Sequence, residues 1–291
     1  MRAVTQIRTT FTNLPATSLL MGSILSVQVG AALAKGLFHE IGTGGTVFLR
    51  VAFAAVVLLA IWRPKLRHYT WAQFRLALLL GLTFAAMNFT FYSAIARIPL
   101  GVAVTVEFIG PLGVAVAGSR RPLDFCWGIL AAIGVLLLAP WTGASIDPFG
   151  MLLALLAGGC WACYILLGAR TGRSFTGGSG LALALGIGAV ILAPIGLAQA
   201  GSALLQPNVL LLGFGVALLS SAIPYSLEIE ALRRIPAQLF GIFMSIEPAA
   251  AALIGFLILR ESLSLRALIA IVLVTLASIG ATRPRQRQSN L

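Results

Sequence analysis

Charge is what this sequence has least of: 10% of its 291 residues are Asp, Glu, Lys or Arg, against about 25% in a soluble domain. With 59% hydrophobic residues and a mean hydropathy of +1.00, no soluble core absorbs so much apolar surface. Cysteine is nearly absent too. The three residues Cys126, Cys160 and Cys163 all lie within apolar runs, which excludes a disulfide framework. Cys160-Trp161-Ala162-Cys163 has the CxxC spacing, but in a membrane-helix context rather than a βαβ unit it reads as a pair of packing thiols. Acidic residues number 8 against 20 basic ones, a net charge of +12. Nucleic-acid binding would need that charge gathered on one soluble face, and here it sits in short gaps between apolar runs.

The absences also exclude enzyme and ATPase chemistry. Neither lysine, Lys35 or Lys65, follows a glycine, so there is no Walker A loop and ATP is not the direct driver. The string Gly177-Gly178-Ser179-Gly180 has the form of a serine-protease GxSG, yet His39 and His68 lie in early loops and offer Ser179 no base. Two loop histidines make no metal site either. No cofactor is expected.

What is present is a succession of apolar runs, each near the roughly 20 residues that a spanning helix needs. Ten can be placed, at about 17–37, 43–62, 74–96, 100–118, 124–141, 150–168, 180–200, 208–231, 236–259 and 265–282. Ile98-Pro99 and Ile235-Pro236 mark helix boundaries, because proline removes a backbone donor. The first 16 residues are polar, and the run after them is the first of many, which speaks against a cleaved signal peptide. Fifteen of the twenty Lys and Arg fall on one side of the alternating topology, which makes that side the cytoplasm and puts both termini inside.

The chain also repeats itself. AIARIP at 94–99 matches ALRRIP at 231–236, and Glu107, Arg120 and Leu123 match Glu247, Arg260 and Leu263 three residues out of that register. Five helices separate the copies, so the second is inverted, with a site expected near the midplane where the halves meet.

Ionisable groups inside apolar runs cost about 2.5 to 3.5 kcal/mol each on insertion scales and normally face a cavity or a partner. Glu107 stands in VAVTVEFIGPLGVAV with Pro111 one turn later, and Glu247 in GIFMSIEPAAAAL with Pro248 next to it. Each carboxylate thus lies beside weakened backbone, a setting suited to an ammonium group or a proton, though a buried structural acid fits as well. Arg50, in TVFLRVAFAAV, needs a counter-charge or a substrate carboxylate unless it snorkels to the interface; Lys35, nearer a helix end, reads as snorkelling. In SSAIPYSLEIEALRRIP, Ser221, Tyr225 and Glu228 share a helical face, while Glu230 reads as an interfacial ion pair with Arg233 and Arg234. Gln28, Asn88 and Tyr92 are polar at similar depth and could equally make interhelical hydrogen bonds.

Five strings, PLGVAVTVEFIGPLGVAV, SRRPLDF, GGCWACYIL, SSAIPYSLEIEALRRIP and FGIFMSIEPA, carry a resemblance to the EamA-type drug/metabolite transporters, running from about residue 19 to 282. Within them the chain is similar to the threonine/homoserine exporters of bacterial inner membranes. The resemblance implies an all-α integral membrane protein of ten transmembrane helices, two inverted five-helix repeats around a central cavity. It divides the chain into an N-terminal tail (1–16), a first repeat (17–141), a linker (142–149), a second repeat (150–282) and a basic C-terminal tail (283–291). It also implies proton-coupled efflux of small neutral amino acids; membrane lipid is the expected surroundings, and both a monomer and a homodimer stay open. An exporter of drugs or other metabolites, or an uncoupled facilitator, would use the same fold. Two departures stand out: the Trp that family members often carry in the first helix of each half is matched by Trp161 in the second half, whereas the equivalent position in the first half falls near Ser26, which bears on cavity shape; and LRESL puts Arg260 before Glu261 where many relatives have Gly.

Overall fold

The computed structural model describes residues 14–117, 147–244, 246–261 and 264–281, with positions 126–127, 129–130, 133–134 and 137. Among the described residues every regular element is helical: α1 (Ala16–Trp62), α2 (Trp71–Ile95), α3 (Leu100–Glu107), α4 (Ile109–Ala117), α5 (Pro148–Ser174), α6 (Ser179–Ala200), α7 (Pro207–Ala217), α8 (Ile223–Arg234), α9 (Ala237–Met244), α10 (Glu247–Leu259) and α11 (Leu265–Ala281). A widened π-type turn, Leu218–Ala222, joins α7 to α8. Among the described residues five stretches are long and apolar enough to cross a membrane: Ala16–Trp62, Trp71–Ile95, Pro148–Ser174, Ser179–Leu205 and Pro207–Arg234. Leu100–Val114, Glu247–Leu259 and Leu265–Ala277 are apolar but shorter.

Local chemistry sets the ends. Thr70 and Gln73 form a reciprocal capping box that starts α2. Asp147 caps α5 by accepting from the Phe149 N–H at 2.9 Å, with Pro148 in the first helical position. Arg97, in turn, donates to Asp147 at 3.1 Å and holds that carboxyl below its ordinary range. α3 and α9 begin straight after Pro99 and Pro236, as the sequence suggests.

Three boundaries differ from expectation. The gap between the first two expected spans is itself helical, and the reversal is concentrated on Gly42, whose φ of +68° suits a residue without a side chain. The doubling back follows from contacts: the Gly30 backbone lies against Ser220, and Arg50 donates to the Ser220 carbonyl. A straight helix would hold residues 30 and 50 about 30 Å apart. The expected fourth helix is broken after Glu107, between α3 and α4, and the expected ninth is broken just before Glu247, between α9 and α10. Most of the expected fifth helix (124–141), nearly all of the N-terminal tail, the C-terminal tail and most of the linker lie outside the described residues.

Packing is inverted relative to a water-soluble protein. Large apolar side chains face outward, among them Val190 and Leu211, each 73% exposed, while Gln28, Arg50, Asn88, Glu107, Glu228 and Glu247 are buried. That distribution suits lipid surroundings. Small residues let backbones meet: a Cβ on Gly110 would strike the Gly158 carbonyl, and one on Gly158 would strike the Glu107 carbonyl. The α3–α4 break is thereby pressed onto α5.

Candidate functional site

A small cavity of 50 Å³ lies inside the bundle where α1, α2, α3, α5, α8 and α10 converge. That is above the roughly 10–15 Å³ a cavity needs to admit water. Its walls carry Gln28, Arg50, Asn88, Glu107, Tyr225, Glu228 and Glu247. Tyr92 and Ser221 stand behind, both touching Arg50. The polar residues singled out in the sequence, drawn from distant segments, thus form one cluster.

Arg50 is anchored rather than ion-paired. Its Nε donates to Ser221 Oγ at 2.7 Å, and its Nη2 donates to the Ser220 carbonyl and to Tyr225 Oη. The guanidinium also lies 4.9 Å from the centre of the Tyr92 ring, a cation–π contact. At 2% exposure the side chain does not snorkel, which removes that reading. No carboxylate among the described residues lies within ion-pair distance of it. The π-type turn explains the grip, because the wider turn alters the backbone hydrogen bonding around Ser220 and turns its carbonyl and the Ser221 hydroxyl toward α1. Tyr225 passes the chain onward, donating to Asn88 Oδ1 at 3.2 Å, while Asn88 Nδ2 donates to the Phe84 carbonyl at 2.7 Å.

The three glutamates differ in surroundings. Glu228 is fully partnered: Ser23 donates to one oxygen at 2.5 Å and Tyr164 to the other at 2.8 Å. Glu247, the first residue of α10, accepts from Gln28 Nε2 at 2.9 Å through Oε1, while its Oε2 and the Gln28 Oε1 are buried without a donor. Glu107, the last residue of α3, lines the cavity and has no hydrogen-bond or ion-pair partner among the described residues. One cavity therefore presents a cation fixed at one wall and carboxyl oxygens with free lone pairs at others.

The remaining singled-out charges lie elsewhere. Lys35 pairs with Glu261 at 2.6 Å, and Glu261 also accepts the Leu100 N–H at 3.0 Å, so Lys35 has a partner instead of merely reaching for the interface. Glu230 pairs with Arg233 and Arg234, the ion pair the spacing suggests. Ser179 Oγ donates to the Thr176 carbonyl at the start of α6. A larger cavity of 370 Å³ between α1, α6 and α8 has apolar walls, and its charges, Glu230 and Arg233, are paired with each other; the small cavity is the one that brings buried charges of both signs together.

Reasoning from the sequence missed Ser23 and Tyr164, the donors to Glu228, and the cavity walls Val27, Ala31, Met87 and Phe91. Trp161, noted there only as a family feature, also lines the cavity. Tyr164 lies one helical turn beyond Trp161 in the string GGCWACYIL, which is the signal that could have found it.

Apolar helices folded around a small buried site of mixed charge define a multi-pass membrane transporter. The family model of the EamA-like transporters matches residues 148–283. The chain is 42% identical to the threonine/homoserine exporter RhtA of Escherichia coli K12 over 94% of its own length and 93% of that protein's, and equally identical to the Salmonella typhimurium LT2 exporter of the same name over 94% and 92%. It is 26% identical to the uncharacterized transporter YwfM of Bacillus subtilis, over 80% of this chain and 82% of that one. A crystal structure superposes with a TM-score of 0.62 at 17% identity, covering 91% of this chain and 96% of the other, which shows the fold alone. The chain belongs to the EamA-like family of drug/metabolite transporters, in its RhtA-like branch.

Proposed function

We propose that this protein exports small neutral amino acids of the threonine/homoserine type across the bacterial inner membrane in exchange for protons. The observation that carries the reading is the shared cavity: the anchored guanidinium of Arg50 offers a site for a substrate carboxylate, and the unpartnered carboxyl of Glu107 offers one for its ammonium. A zwitterion needs both signs close together, and a cavity of 50 Å³ favours a small solute over a drug-sized one. The name printed for the 42% identical relatives, threonine/homoserine exporter, supports substrate and direction.

In this reading the chain crosses the membrane ten times, with α1 crossing twice and each repeat contributing one helix broken at its glutamate. The repeats are residues 17–141 and 150–282, joined by a linker at 142–149 and flanked by cytoplasmic tails at 1–16 and 283–291. The matching strings around Glu107 and Glu247, and the excess of Lys and Arg on one side, support that topology. It works in lipid as a monomer or homodimer, without a cofactor.

The test is uptake of labelled threonine and homoserine into inside-out vesicles with an imposed pH gradient, acid inside. Accumulation that depends on the gradient and falls at least tenfold or so in Glu107→Gln is the expected result; uptake of neither amino acid by the wild type overturns the reading.

A further inference from the structure

We infer that Glu247 and Gln28 form a carboxylic acid–amide pair that carries the exchanged proton, leaving Glu107 to receive the substrate ammonium. This rests on the proposed exchange of amino acid for protons and names the group that does one half of it.

The argument begins from two buried oxygens. Gln28 is 2% exposed and Glu247 6% exposed, and Gln28 Nε2 donates to Glu247 Oε1 at 2.9 Å. The two atoms left over, Glu247 Oε2 and Gln28 Oε1, are both acceptors, both sealed from solvent and both without a donor. Two unsatisfied acceptors on side chains that already touch are costly in a protein interior. One proton on Oε2 answers both: the acid O–H can donate to the amide oxygen while the amide N–H donates to the acid carbonyl, a closed ring of two hydrogen bonds. Reversing the amide leads to the same place, since two oxygens would then face each other at that distance and require a proton between them.

The surroundings agree. The charged and titratable groups around Glu247 are Arg50 from α1, Glu107 from α3, and Glu228 and Tyr225 from α8, with Tyr164 of α5 behind Glu228; α11 brings only Arg266, in its first turn. Three carboxyl groups and one guanidinium around a single cavity leave charge uncompensated, and a neutral acid at Glu247 removes one such charge. Glu228 is the weaker candidate because Ser23 and Tyr164 already donate to both of its oxygens. Glu107 meets the cavity with no hydrogen bond or ion pair among the described residues, the condition of a group that waits for a ligand. The proton step balances simply: an O–H bond forms on Oε2 with a proton taken from water on one side of the membrane, and the same bond breaks to release it to water on the other. Gln28 is a positioning residue, holding the acid in its neutral form.

The test uses the purified full chain, in lipid nanodiscs for infrared difference spectroscopy over a pH titration and in proteoliposomes for transport. The wild type is expected to show the carbonyl stretch of a neutral carboxyl group, absent in Glu247→Gln and shifted in Gln28→Leu, where the acid loses its amide partner. In proteoliposomes Glu247→Gln is expected to lose gradient-driven accumulation while exchange of labelled for unlabelled threonine, slowed, persists. A carboxyl spectrum unchanged by Glu247→Gln, or a Glu247 band that keeps its frequency in Gln28→Leu, overturns the inference. Loss of exchange together with accumulation in a folded Glu247→Gln protein also overturns it, because Glu247 is then a substrate ligand. Should Glu247→Gln not assemble, the Gln28→Leu shift decides alone. If the wild type moves no threonine, the amino-acid reading fails while the infrared result still decides the pair.

Discussion

Arg50 and Ser221 are joined by a hydrogen bond of 2.7 Å between the second arm of α1 and the π-type turn before α8. With the Ser220 carbonyl, the Tyr225 hydroxyl and the Tyr92 ring, that contact fixes the plane of the guanidinium. A lysine has the charge but neither the fork of donors nor the flat face.

Arg50→Lys is therefore expected to assemble yet to transport threonine with a raised KM. Competition experiments check the assignment: threoninol, which has no carboxylate, should compete poorly in the wild type, and Arg50→Lys should narrow the gap between the two ligands.

Glu107→Gln keeps shape and volume and removes only the charge. Thermal unfolding in detergent should change little, because Glu107 makes no hydrogen bond or ion pair with the described residues. Transport should fall by roughly ten- to a hundredfold, matching the loss of a charge-assisted hydrogen bond of about 1.5–3 kcal/mol. A variant that transports normally would remove Glu107 from the site.

Gly158→Ala places a methyl group against the Glu107 carbonyl, in backbone contact too close to accept it. The cost expected for overpacking is about 1–3 kcal/mol, read as a lower unfolding temperature. Gly159, with nothing near its would-be Cβ, provides the control: Gly159→Ala should leave stability almost unchanged.

Lys35 and Glu261 should respond unequally to substitution. Lys35→Met removes one half of a partly exposed ion pair, a loss of at most about 1 kcal/mol. Glu261→Ala also leaves the Leu100 N–H without its acceptor and should destabilise by a further 1–3 kcal/mol or so. Equal losses on thermal unfolding would contradict the bridging role of Glu261.

How far the site could be read from the sequence depended on the expense of each residue in an apolar run. Arg50, Glu107, Glu228 and Glu247 stand out because a charge there demands an explanation, and all four line one cavity. Ser23, Phe91 and Tyr164 raise no such question, since neutral residues occur throughout membrane helices; only folding shows that Tyr164 reaches Glu228. The prolines signalled weakened backbone near both glutamates, and breaks occur beside both. The α1 turn was misjudged for the opposite reason: the segment around His39 reads as a loop, whereas one glycine suffices to reverse the helix.

That reversal has a mechanical consequence. Gln28 lies on one arm of α1 and Arg50 on the other, with a single residue of non-helical backbone between the arms. The Gly30 backbone of the first arm lies against the same Ser220 whose carbonyl accepts from Arg50 of the second, so a displacement of the first arm at Gln28 bears on the Arg50 anchor. One lever thus spans the amide at one wall and the guanidinium at the other, and in the proposed exchange the proton site and the carboxylate site would feel the same stroke.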